Sequence, residues 1–173
     1  ATSIDWKDNW VAGTVYKAND LVKYGGNIYI CNTGHTAAAT NALGLENDIL
    51  KWDLFSEGQD WKTNWAINTR YKVNDIVKYG GTLYVCNTGH TSNATAANGL
   101  EADQAKWDYF NKGIEYLGEW VNAYRYKIND VVLYGATLWI CTTQHTSVVS
   151  NPDSQLGTLQ ADIANWDKFV PGL

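Results

Sequence analysis

The side chains best suited to chemistry in this chain are three cysteines and three histidines, and all six fall into one spacing. Cys31 stands four places before His35, Cys86 before His90 and Cys141 before His145, in "CNTGHT", "CNTGHT" and "CTTQHT". Thiolate and imidazole are the common ligands of zinc, and a thiol beside an imidazole can be activated as a nucleophile. Two ligands per repeat complete a zinc site only if repeats converge, so no metal and no cofactor is expected. The favoured reading is structural. Each cysteine is a buried strand residue, and each histidine bonds backbone to fix the loop that follows. A disulfide is disfavoured, because equivalent positions of separate repeats would have to meet and one thiol would be left over.

Other catalytic patterns are missing. The chain has no G-x-S-x-G, no H-E-x-x-H and no phosphate-binding glycine loop. A catalytic set gives different residues different roles and so breaks symmetry, whereas every Cys and His here recurs with its context. The acids of "GLENDILKWD" and "GLEADQAKWD", with Glu46 and Asp48, lack the ligand ladder of a calcium loop and read as a solvated, turn-forming cluster. The chain is therefore expected not to be an enzyme.

Composition narrows the partners. The 173 residues carry a net charge of −5 without a basic stripe, which argues against nucleic acid. No apolar run reaches the roughly 18 residues of a membrane span, so no membrane insertion is expected. The opening "ATSIDWKDNW" lacks the basic start and apolar stretch of a secretory signal, and its missing initiator Met reads as an excised or processed start. Nine Trp and eleven Tyr stand against three Phe, a bias that serves wet binding surfaces as well as small cores.

What positions these residues is a repeat. The three Cys, the three His, Tyr16/Tyr71/Tyr126 and Asp20/Asp75/Asp130 all step by 55, while Trp52, Trp107 and Trp166 step by 55 and then 59. Four residues are thus added around "SVVSNPDSQLG", a loop expected to be exposed. The repeat gives modules 1–55, 56–110 and 111–173. Within each, two β-rich runs flank Gly25-Gly26, Gly80-Gly81 or Gly135-Ala136. Ala at the second place of the last pair predicts positive φ only at the first, as in a type II′ turn. Asn19-Asp20, Asn74-Asp75 and Asn129-Asp130 precede the hairpin, Asn suited to a left-handed turn and Asp to bonding backbone N–H groups. "KWDLF", "KWDYF" and "NWDKF" read as closing strands, with at most a short turn before them. Connections such as "SEGQDW" and "NKGIEY" are too short for flexible linkers, so the modules are expected to pack together. The fold class is all-β: three small antiparallel modules with pseudo-threefold symmetry, a β-trefoil being the alternative.

The order Trp10, Tyr16, Asn19-Asp20, Val22, Tyr24, Gly26, Tyr29, Cys31, His35-Thr36 and Trp52 resembles the chitin-binding carbohydrate-binding modules of family 5/12, and the resemblance recurs in all three modules. It implies small antiparallel β modules that bind polysaccharide without catalysis. The tandem wording "YKVNDIVKYGG…C…GHTS" is similar to that of modules in tail and structural proteins of marine tailed bacteriophages, cyanophages in particular. One departure bears on the ligand. The family's exposed Trp-Glu platform after His-Thr is matched here by Leu45 and Leu100 in "GLE" and by Leu159 in "TLQ", and leucine has no π face for a sugar.

A sugar would then need other aromatics. Trp6 and Trp61, with Tyr116 at the same place of the third module, are the candidate glycan contacts, joined by Tyr24, Tyr79 and Tyr134 beside the hairpin turn. Trp10, Trp65, Trp120 and the closing Trp52, Trp107 and Trp166 are expected in cores or between modules. The expected function is adhesion or assembly in a phage virion or tail, through host-surface glycans or other virion proteins, with avidity supplied by repetition. The alternatives are a polysaccharide-binding module of a secreted glycoside hydrolase and a purely structural spacer.

Overall fold

The structure, a computed structural model, describes residues 3–148 and 159–169; most of the inserted loop of the third module lies outside them. Three repeated modules follow one plan, each with a four-stranded and a two-stranded sheet. The first contains β1 (Asp5–Asn9), β2 (Val15–Tyr16), β3 (Asp20–Tyr24), β4 (Asn27–Cys31), β5 (His35–Thr36), a 3-10 segment Leu45–Lys51 and β6 (Trp52–Ser56). The second repeats this as β7 (Asp60–Asn64), β8 (Arg70–Tyr71), β9 (Asp75–Tyr79), β10 (Thr82–Cys86), β11 (His90–Thr91), Leu100–Lys106 and β12 (Trp107–Asn111). The third has β13 (Glu115–Glu119), β14 (Arg125–Tyr126), β15 (Asp130–Tyr134), β16 (Thr137–Cys141), β17 (His145–Thr146), Leu159–Asn165 and β18 (Trp166–Lys168).

The large sheets run β1-β3-β4-β6, β7-β9-β10-β12 and β13-β15-β16-β18. These are separate open sheets and no barrel closes, so the β-trefoil alternative is set aside. Nor is every pair antiparallel: β1 lies parallel to β3, and β13 to β15. The connection 10–19 carries Trp10 into the core and Tyr16 into the small sheet before the chain re-enters the same end, which makes the parallel return possible.

By contacts the chain divides into two compact units, one of residues up to Val77 together with Tyr84–Asp108, the other of Lys78–Leu83 with Tyr109 onward. In the first, Trp10, Tyr16, Val22, Tyr24, Cys31, Leu45 and Trp52 form a core. Tyr16 and Tyr71 are almost wholly buried, and each hydroxyl accepts the backbone N–H of Val11 or Ala66 at 2.9 Å. In the other unit Tyr126, Val132, Cys141, Leu159 and Trp166 are the core, and Tyr126 accepts the N–H of Val121 at 2.9 Å. A buried phenol satisfied by backbone anchors the loop that carries the first tryptophan of each module.

The local turn chemistry follows the sequence. Gly25, Gly80 and Gly135 have φ of 66, 65 and 62°, while the residues after them do not take positive φ. Asn19, Asn74 and Asn129 are left-handed, and Asp20, Asp75 and Asp130 each accept a backbone N–H, from Lys17, Lys72 and Lys127, at 2.8 Å. The segments before the closing strands are longer than a turn. Leu45–Lys51, Leu100–Lys106 and Leu159–Asn165 are 3-10 helical, each kinked at an aspartate: Asp48, Asp103 or Asp162. Those aspartates accept the N–H of Ala38, Asn93 and Val148, which ties the preceding loop to the helix.

Candidate carbohydrate-binding surface

The first strand is the most exposed element of the first module. All five residues of β1 face solvent, and along it the register with β3 shifts between Trp6 and Asn9. Left-handed Asp8 lies at the shift, as Gly118 does in the third module, and Thr63 takes the same conformation at that place of the second, with φ of 63, 83 and 67°. Bulges of this kind re-aim a side chain at a sheet edge. Here they leave Trp6 49%, Trp61 54% and Tyr116 60% exposed. The Trp6 indole N–H donates to the Asp8 carboxylate at 2.9 Å, fixing the ring. Beside Trp61, burial alone would raise Asp60, but hydrogen bonding and charge from Lys62, with Lys23 farther off, hold it below the ordinary carboxylate range. Glu115 next to Tyr116 pairs with Lys78 at 2.6 Å. Each platform thus consists of an open ring flanked by fixed charge.

The other three candidates are placed differently. Tyr24 is 3% and Tyr79 7% exposed, so neither offers a face to a sugar. Lys72 lies 4.8 Å from the centroid of the Tyr24 ring, and Lys127 5.0 Å from that of Tyr79. Sequence gave no sign of this, because each covering lysine is 48 residues further along the chain. Tyr134 is half-buried. Leu45, Leu100 and Leu159, where the resemblance placed a surface platform, are core residues, so that position does not face solvent in this chain at all.

Glu46 departs from the expected solvated cluster. Its carboxylate accepts the Tyr24 hydroxyl at 2.6 Å on one oxygen and Arg70 Nη2 at 2.8 Å on the other, joining the first module to the second. A signal for it existed: the acid is written in the first two modules (Glu46, Glu101) and replaced by Gln160 in the third, while Arg70 and Arg125 are matched by Val15 in the first. Leu54 and Phe55 on β6 and Tyr109 and Phe110 on β12 are also about half exposed, a second set of open apolar side chains that the closing-strand reading overlooked.

The Cys–His pairs are structural in geometry. In each, Sγ and Nδ1 are 3.8 Å apart and both point at one carbonyl, that of Thr33, Thr88 or Thr143. The nitrogen facing the sulfur therefore carries the proton, and the histidine fixes the turn before it rather than the loop after it. His35, His90 and His145 then stack edge-on against the buried Trp52, Trp107 and Trp166 at 5.3–5.4 Å. Among the described residues no cluster of three or more metal-ligating side chains occurs. Burial pushes the Cys31 thiol up and the Cys86 thiol to about 12. Alkylation at about pH 8 should accordingly leave all three thiols unmodified in the folded protein and modify all three in denaturant. Labelling of the native chain at the unfolded rate would contradict their burial.

Residues 9–42 and 64–107 match the model of carbohydrate-binding module family 5/12, so these two stretches, one in each of the first two modules, are similar to that family. A search of curated proteins found no match. No helix among the described residues is long and apolar enough to cross a membrane.

Proposed function

We propose that the chain is a non-catalytic glycan-binding array in which Trp6, Trp61 and Tyr116 are the sugar platforms. The observation that carries this is their equivalence: three edge strands, each with a left-handed residue two places on, present an open aromatic at the same place of each module. An exposed ring offers the apolar C–H face of a pyranose a surface that water solvates poorly, and neighbouring carboxylates accept from hydroxyls. In this reading the array works at the surface of a phage virion, holding host-surface glycans or other virion proteins, and weak single sites gain through linkage. A secreted polysaccharide-binding module would use the same platforms on a different carrier. The spacer reading is favoured by one observation of its own, the use of Tyr24 and Tyr79 in packing.

A glycan array and pull-down on insoluble polysaccharides, followed by tryptophan quenching, tests the proposal. Each of Trp6→Ala, Trp61→Ala and Tyr116→Ala should weaken binding by roughly tenfold, with melting temperature nearly unchanged because the side chains are exposed. Retention of full affinity in the triple variant would remove these residues from the site. Absence of any glycan binding would leave the spacer reading.

A further inference from the structure

Where the hairpin end of the first module meets the second, a cleft of about 240 Å³ is lined by Trp10, Tyr24, Asn41, Arg70 and Lys72. Its polar groups are almost all donors. Trp10 is 6% exposed, and its indole N–H is buried without a hydrogen-bond partner. The Arg70 Nε–H is buried and unpartnered as well, since Glu46 engages only Nη2. Lys72 places its ammonium over the Tyr24 ring instead of on a carboxylate. The Tyr24 hydroxyl is already committed to Glu46. Two cations line the cleft, and the acids about them lie behind or beside it: Glu46 bonds Arg70, while Asp75 and Asp60 act on Lys72 through charge alone.

An orphaned buried N–H costs free energy comparable to a lost hydrogen bond. Two of them beside an ammonium form a donor set that an acceptor with negative charge completes most strongly. The space is larger than a bare anion needs and suited to one sugar ring. Trp10 and Tyr24, edge to face at 5.5 Å, back the cleft as buried aromatics and offer no stacking face, so recognition there is polar. We propose that this cleft binds a carboxylate-bearing sugar residue, a uronic acid of an acidic polysaccharide, with the carboxylate received by Arg70, Lys72 and the Trp10 indole N–H. Asn41, exposed in the cleft lining, takes a ring hydroxyl. Burial also depresses the Lys72 pKa, which a bound carboxylate would reverse. The site shares with the edge platforms only that its ligand is a saccharide, and the two fail separately.

The test is calorimetric titration of the intact chain with oligogalacturonate, neutral galacto-oligosaccharide and acetate. Oligogalacturonate should bind saturably, and the neutral oligomer at least about tenfold more weakly at this site. Lys72→Met keeps the aliphatic stem over Tyr24 and should cost about tenfold or more. Asn41→Asp, on an exposed loop that leaves folding untouched, should do the same by repulsion. The Trp6, Trp61 and Tyr116 variants should leave uronate binding intact. Uronate binding unchanged in both Lys72→Met and Asn41→Asp would overturn the proposal, as would no uronate binding at all. Equal affinity for acetate would reduce the cleft to a simple anion pocket and likewise overturn it.

Discussion

Gly26→Ala is expected to destabilise the protein by about 2–4 kcal/mol, a drop in melting temperature of several degrees or more. The reason is the closeness of the module junction. Gly26 N–H donates to the Val73 carbonyl at 3.1 Å, and Asn74 donates its side-chain amide to Oδ1 of the Asn27 side chain at 2.8 Å. A Cβ on Gly26 would sit 2.5 Å from the Gly58 carbonyl oxygen and 2.8 Å from both Cβ and O of Asn74. Most of these neighbours are backbone, so relief requires the junction to open. The local backbone is not the obstacle, because Gly26 does not take positive φ. Gly34→Ala is the matched control: its nearest neighbour would be the Tyr16 carbonyl oxygen at 3.6 Å, an ordinary contact, and its melting temperature should barely move. Equal stability of the two variants would show that the junction is looser than described.

Acidification should strengthen the fold. Burial pushes the carboxyls of Asp75 and Asp130 up to about 6, outweighing the N–H bonds from Lys72 and Lys127 that favour the charged form. In an unfolded chain an Asp titrates near about 3.9. Between those values the folded state holds protons that the unfolded state has released, so stability falls as pH rises from about 4 through 6. Each carboxyl accounts for roughly 2–3 kcal/mol across that window. His90 works the other way: burial lowers its pKa, so its contribution is lost as pH falls through the unfolded value of about 6.5. Two carboxyls against one imidazole leave the net gain on the acid side. Urea unfolding from about pH 7.5 down to about 4 should show a rising midpoint. In Asp130→Asn, which keeps an acceptor for Lys127 N–H, about half the slope should vanish. A midpoint that falls steadily on acidification would contradict the burial of both groups.

What could be read from sequence was what short stretches decide for themselves. The glycine hairpins, the Asn-Asp turns and the closing strands rest on φ preferences and side-chain bonds within three residues. "DWKDN" hid its strand because every residue of β1 is exposed and no alternation betrays it. The parallel pairing was hidden with it. The fate of Tyr24 was equally unreadable, for a lysine and an arginine of the next module decide it. Of the six proposed sugar contacts, the three on edge strands are about half exposed. Tyr24 and Tyr79 are covered by a lysine that every module carries, and only the docking of one module on the next brings it over the ring.

The differences between the modules give the repeat a syntax. A Cβ on Gly89 would lie 1.7 Å from the Glu46 carboxylate oxygen, and the third module has Gln144 at that place. Its hairpin carries Ala136 where the junction demands the bare backbone of Gly26. Shifted directly behind the first module, the third would drive a glutamine side chain into Glu46. Moved to the front, it would meet its successor with a methyl group where none fits. The three modules are thus not interchangeable copies, and shuffling them would break an order that their common wording conceals.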